Sequence, residues 1–176
     1  MFDFLRVLID FFDKQNISYM LSGSVAMSLY TQPRFTRDYD FVVNLKVAHI
    51  DDVLKNFGEG YYINDESVKE AISQKGMFNI IDHKSGYKAD FMILKDEPFR
   101  QAEFLRQRKM RFLDMTISIV SPEDLLLSKL IWIQDIQSGV QMEDIRSISA
   151  VTDLDWNYIK EWIKELNLKT FNLLPC

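Results

Sequence analysis

Apolar positions change their period along this chain. Up to about residue 120, short β-type runs alternate with helical ones, and from Pro122 onward every apolar pattern follows the helical repeat. The opening "MFDFLRVLIDFF" reads as an amphipathic helix. "ISYMLS", Ile17 to Ser22, reads as a strand ended by Gly23, and "SVAMSLY", Ser24 to Tyr30, as a short helix capped by Ser22 or Ser24. A second strand is expected over "DYDFVVNL", Asp38 to Leu45, followed by helices over Val47 to Phe57 and Glu66 to Ser73. "FNIIDH" (Phe78 to His83) and "YKADFMIL" (Tyr87 to Leu94) suggest a hairpin about Lys84-Ser85-Gly86, and "MTISIV", Met115 to Val120, is the expected last strand. Ser121 is placed to cap a helix that has Pro122 at its first position and Asp124 in its first turn. Further helices are expected over Gln141 to Val151 and Trp156 to Leu166. The pattern predicts an α/β core over residues 1–120 and a helical C-terminal part over 121–176, packed on that core.

Composition narrows the class. At 176 residues and 47% hydrophobic, the chain can bury a proper core as one compact domain with a small appended subdomain. Its net charge of −5, from 21 basic and 26 acidic residues, disfavours a protein that coats nucleic acid by general electrostatics. The segment "RQAEFLRQRKMR" carries Arg100, Arg106, Arg108, Lys109 and Arg111 against Glu103 alone. It is either a local basic patch or, as charge runs more often are, the solvated face of a helix. The single Cys176 allows no intramolecular disulfide and no multi-cysteine metal site, which fits a reducing cytoplasm. Asp3 and Asp10 interrupt the opening helix, no basic leader or cleavage site accompanies it, and no uncharged run approaches the roughly 20 residues of a membrane span. A soluble cytoplasmic protein with no membrane partner is expected.

The candidate chemistry lies in "LSGSVAMSLYTQPRFTRDYDFVV", Leu21 to Val43. In a strand, residues two apart share a face, so Asp38 and Asp40 project together while Tyr39 and Phe41 point the other way. Adjacent anions are unfavourable unless a cation neutralises them or one takes up a proton. A hard divalent ion with oxygen ligands meets that need, and Mg²⁺ favours one or two carboxylates plus substrate phosphates. Asp90 sits in another apolar strand, and if that strand lies beside the first it completes a cluster of three carboxylates suited to metal-assisted phosphoryl chemistry. The Gly23-Ser24 turn into a helix offers free backbone N–H groups to an anion.

Taken together, Gly23-Ser24, Ala26, Arg34-x-Thr36-x-Asp38-x-Asp40 and the later strand Asp90 resemble the nucleotidyltransferase superfamily pattern, a G-S turn, a D-x-D and a third aspartate. "SPEDLLLSKLIW" with Lys129, then "SGVQMEDI" with Gln141 and Asp144, is similar to the C-terminal half of the bacterial minimal nucleotidyltransferases of the abortive-infection toxin type (AbiEii/AbiGii-like). The resemblance spans roughly Tyr19 to Leu166 and implies the mixed sheet with flanking helices of that fold. It implies that Gly23 and Ser24 hold the β- and γ-phosphates, and that Asp38 and Asp40 bind Mg²⁺, or Mn²⁺ in its place. Asp90 would bind one metal and help deprotonate the acceptor hydroxyl, and Lys129 would reach the triphosphate.

Several assignments stay open at this stage. Lys129 could instead be a solvent-facing helical lysine. Arg34 and Arg37 either contact nucleotide phosphates or balance Asp38 and Asp40, and Asp144 is either part of the site or structural. Trp132, Trp156 and Trp162 fit packing better than base stacking, although Trp132 lies one turn from Lys129 and could flank a nucleotide. His49 and His83 receive no role. The implied activity is transfer of NMP from an NTP to a hydroxyl acceptor, which is a tRNA or other RNA 3′ end, a protein hydroxyl or a small molecule such as an aminoglycoside, and the toxin-like resemblance favours RNA or protein. The toxin-antitoxin resemblance adds a cognate antitoxin as a partner. The alternative is a catalytically silent nucleotide- or partner-binding module on the same fold.

Overall fold

The computed structural model describes residues 2–175, so Cys176 lies outside the described residues. Helix α1 (Phe2–Lys14) leads into β1 (Tyr19–Ser22), a short α2 (Gly23–Met27) and β2 (Asp38–Val43). After a 3-10 turn at Val47–His49 come α3 (Ile50–Asn56), β3 (Tyr61–Tyr62), α4 (Asp65–Gln74), β4 (Met77–Asp82) and β5 (Lys88–Ile93). Then follow α5 (Pro98–Leu105), β6 (Arg108–Phe112), β7 (Met115–Ile119), α6 (Pro122–Trp132), α7 (Gly139–Ser149) and α8 (Trp156–Glu165).

The strands form one mixed sheet in the order β3-β4-β5-β2-β1-β7-β6. At its centre β2 runs antiparallel to β1 and parallel to β5. The amphipathic pattern of α1 buries Phe4, Leu5, Leu8, Ile9, Phe11 and Phe12 on one face of this sheet. There Phe12 meets Phe41 and Phe91 edge-on at centroid distances of 5.2 and 5.8 Å. Alternation then turns Asp38, Asp40 and Asp90 to the opposite face. That face is approached by α2 and α6.

Helix α6 starts as its sequence requires, with Pro122 in the first turn and the Ser121 hydroxyl accepting from the Asp124 N–H at 3.1 Å. Leu125, Leu126, Leu127 and Leu130 are buried, and the helix packs among α2, α7 and α8.

The departures from expectation are local. The segment from Arg100 to Arg111 is a helix end followed by an edge strand, and three of its arginines bind buried carboxylates, Arg108 reaching Glu123 at 3.2 Å. Arg100 reaches the buried Glu103 at 2.9 Å and Arg106 the buried Asp124 at 3.1 Å, whose other oxygen takes the Tyr158 hydroxyl at 2.6 Å. Met115–Ile119 is the last strand, but β6 precedes it as its hairpin partner and β3 adds the opposite edge. Helix α2 is five residues long and begins at Gly23, with Ser22 at its cap position making no side-chain capping bond. No helix among the described residues is long and apolar enough to cross a membrane.

Candidate active site

The site is built where β2 and β5 lie side by side in register, Asp38 opposite Lys88 and Asp40 opposite Asp90. Asp38 is exposed at the strand start, Asp40 half-buried and Asp90 buried. Asp90 Oδ1 is enclosed without a hydrogen-bond partner, while Oδ2 receives the Lys88 ammonium at 2.8 Å. The same ammonium lies 3.8 Å from Asp38 Oδ1. Burial, then Asp90 and Asp38, push the Asp40 carboxyl above its ordinary pKa, and Lys129 and Lys88 oppose without cancelling the shift.

Gly23 fits against this cluster as no other residue could. Its φ is +63°, and a Cβ built there would lie 1.8 Å from Asp40 Oδ2. The turn thus presses its backbone onto a carboxylate. Gly23→Ala would add a strain of about 1–3 kcal/mol and displace Asp40. Thermal melts of this variant should show lower stability and a lost stabilisation by Mg²⁺ with nucleotide. Retention of that ligand shift would detach Gly23 from the site.

Beside the carboxylates lies a cleft of about 370 Å³ lined by Ser22, Gly23, Ser24, Arg34, Thr36, Asp38 and Asp40 from the first half of the chain. Leu125, Ser128, Lys129, Trp132 and Gln141 close it from the helical half, and Met92 from β5. Lys129 is buried; its ammonium donates to Gln141 Oε1 at 3.0 Å and to Asp144 Oδ2 at 2.8 Å. Arg34 donates to the Ser24 hydroxyl and to Asp144 Oδ2, the latter at 3.2 Å. Asp144 therefore stands behind the cleft as the shared anion of two cations that line it.

No family model matches the sequence, and no curated protein matches it. Solved structures do. The lincosamide antibiotic adenylyltransferase LnuA, in a lincomycin-bound crystal structure, is similar with a TM-score of 0.55 and 18% identity, over 84% of this chain and 96% of that one. The antibiotic-resistance factor ANT(2'')-Ia matches in its solution structure with a TM-score of 0.64 and 10% identity, over 93% and 89% of the two chains. An antigenic nucleotidyltransferase-like protein from Paracoccidioides brasiliensis gives 0.57 and 18%, over 91% and 84%. The chain has the nucleotidyltransferase fold.

On that fold the sequence candidates divide into three groups. Gly23, Ser24, Arg34, Asp38, Asp40 and Lys129 line one cleft, and Asp90 adjoins Asp40 across the sheet. Asp144 supports two of them from behind. Arg37 stands apart, exposed, with its guanidinium 5.7 Å from the Phe35 ring centroid. The solvent-facing alternative for Lys129 fails, because its side chain is buried with the ammonium bonded to Gln141 and Asp144. Trp132 is corrected in the other direction: it is 62% exposed and lines the cleft rather than packing in the core.

Lys88 escaped the sequence reading. Its signal was available in "KAD", where the twofold strand repeat sets a lysine on the same face as Asp90. The three carboxylates do not form a ready metal cage, and among the described residues none is found. The Lys88 ammonium lies between Asp38 and Asp90 instead. The unpartnered Asp90 oxygen and the raised Asp40 pKa nevertheless mark a cluster short of positive charge, and its all-oxygen donor set suits a hard divalent ion.

Proposed function

We propose that the chain is a metal-assisted nucleotidyltransferase that moves a nucleoside monophosphate from an NTP to a hydroxyl acceptor and releases pyrophosphate. The observation that supports this most directly is the in-register juxtaposition of Asp40 and Asp90, with Asp38 on the same face and the Gly23 backbone against Asp40. Asp38, Asp40 and Asp90 would hold Mg²⁺, or Mn²⁺ in its place. A bound ion of this kind supplies neutralisation of the triphosphate and of the charge that develops on the leaving oxygen.

The chain's own residues supply position and charge. The first N–H groups of α2 have no partner within that helix and, at the Gly23-Ser24 turn, are the backbone donors that would take phosphate oxygens. Five residues give this helix little macrodipole, so the donors themselves carry the interaction. Lys129 and Arg34 bring two cations to the cleft, fixed by Asp144, and so orient the β- and γ-phosphates before reaction. The acceptor oxygen bonds to the α-phosphorus, the bond from that phosphorus to the α–β bridging oxygen breaks, and the acceptor proton passes to Asp90.

Two acceptor classes have support. Resemblance to the abortive-infection toxins points to an RNA 3′ end or a protein hydroxyl, with a cognate antitoxin as the further partner. LnuA and ANT(2'')-Ia, the latter also seen with adenylyl-2''-tobramycin, point to a hydroxyl of a small molecule. Incubation with each labelled NTP, Mg²⁺ and, separately, total RNA, cell protein and a panel of hydroxylated antibiotics distinguishes these. Label should enter one pool with stoichiometric pyrophosphate. Absence of transfer and of pyrophosphate with every NTP and pool would overturn the assignment.

A further inference from the structure

Lys88 and Asp90 leave the same face of β5, and the parallel register sets them beside Asp38 and Asp40. The result is one ammonium among three carboxylates, 2.8 Å from Asp90 Oδ2 and 3.8 Å from Asp38 Oδ1. Lys88 Nζ donates to Asp90 Oδ2, and a lysine ammonium carries its charge at neutral pH. Asp90 is held in place with its second oxygen still unpartnered, and the Lys88 side chain is 35% exposed with an open route to solvent.

We propose that Lys88 is a tethered counterion that occupies the Asp38–Asp90 edge of the cluster until a metal-bound nucleotide arrives, so that the site takes up metal together with nucleotide and resists metal alone. This rests on the function proposed above. A bare divalent ion must evict a paired ammonium and gains only the difference between the two cations. A metal–nucleotide complex brings a polyanion to which the released ammonium can turn on its flexible four-carbon stem. The lysine thereby also lets three neighbouring carboxylates persist in the metal-free fold. Lys88 is on this account a positioning residue.

The test is a titration of the whole chain with Mn²⁺, following free Mn²⁺ by electron paramagnetic resonance, with and without a non-hydrolysable NTP. Breaking one charge-assisted contact of about 1.5–3 kcal/mol corresponds to roughly 10- to 100-fold, so Lys88→Met should bind Mn²⁺ alone tighter by that factor. With the nucleotide present the advantage should shrink or reverse. Lys88→Arg, which keeps the charge, should bind Mn²⁺ alone as weakly as wild type, and Lys88→Met should melt lower than wild type without metal. Should Lys88→Met not fold, Lys88→Gln carries the same comparison. Equal or weaker binding of Mn²⁺ alone by the neutral variant overturns the inference while leaving the metal site standing. No Mn²⁺ binding by any variant, even with nucleotide, sinks the proposed function and this inference with it.

Discussion

Asp40→Asn is expected to abolish nucleotide transfer while melting above wild type in metal-free buffer at neutral pH. On the proposed function, loss of this carboxylate removes the chemistry, whereas the fold loses only a liability. The Asp40 carboxyl is raised by burial and by Asp90 and Asp38, so the folded state holds its proton more tightly than the unfolded chain does. The sign follows directly. Between the ordinary carboxylate value and the raised one the native protein binds more protons, so stability falls as pH rises through that window, and the full penalty persists above it. Asparagine carries no such charge. Its advantage should therefore be present at pH 7 and vanish near pH 3, below the ordinary range of about 3.9. For a chain of this size each kcal/mol gained appears as about 2–4 °C. Asp38→Asn, at an exposed position, should lose transfer with a smaller stability change. An Asp40→Asn protein that still transfers would remove Asp40 from the metal site, and one that melts lower at pH 7 would refute the account of its strain.

This coupling of charge strain to function explains which parts of the molecule could be read in advance. The D-x-D on β2 was legible because strand alternation is fixed by the backbone, and Tyr39 and Phe41 marked the buried side without any tertiary knowledge. The placement of Asp90 beside Asp40 was conditional, since strand order is a long-range property that no local pattern encodes. The β6 strand was hidden for a different reason. "RKMRF" has charges at Arg108, Lys109 and Arg111 because it is an edge strand, where charged side chains guard against pairing with another chain, and those charges imitate a solvated helix. The inward bonds of Arg100 and Arg106 depended on partners, Glu103 and Asp124, whose burial only the folded α5 and α6 reveal.

Lys129 shows that the information was sometimes present and outweighed. A helical lysine usually faces solvent, yet in "LLLSKLIW" Lys129 is flanked by leucines and isoleucine that pack inward, and a helix that apolar encloses most of what it carries. The remaining question is whether Lys129 serves the fold, the nucleotide or both. Paired variants can separate these. Removing one partner of a buried ion pair strands the other, at a cost of about 3–5 kcal/mol. Asp144→Asn, which strands Lys129 and frees Arg34 from its anchor, should destabilise the chain on that scale in urea unfolding, and Lys129→Ala by less, because Asp144 keeps its pairing with Arg34. Replacing both with apolar residues of similar volume is by contrast often neutral or stabilising. The double variant Lys129→Met/Asp144→Leu should then fold about as well as wild type. It should still bind a non-hydrolysable NTP weaker by one to two orders of magnitude, because a charge-assisted contact to phosphate worth about 1.5–3 kcal/mol has gone from a cleft that remains intact. Arg34 keeps its bond to the Ser24 hydroxyl in that background, so the loss reports mainly on the missing ammonium. If the double variant binds nucleotide as wild type does, Lys129 and Asp144 fasten α6 to α7 and nothing more, and the chemistry contracts to the carboxylates and the turn at Gly23.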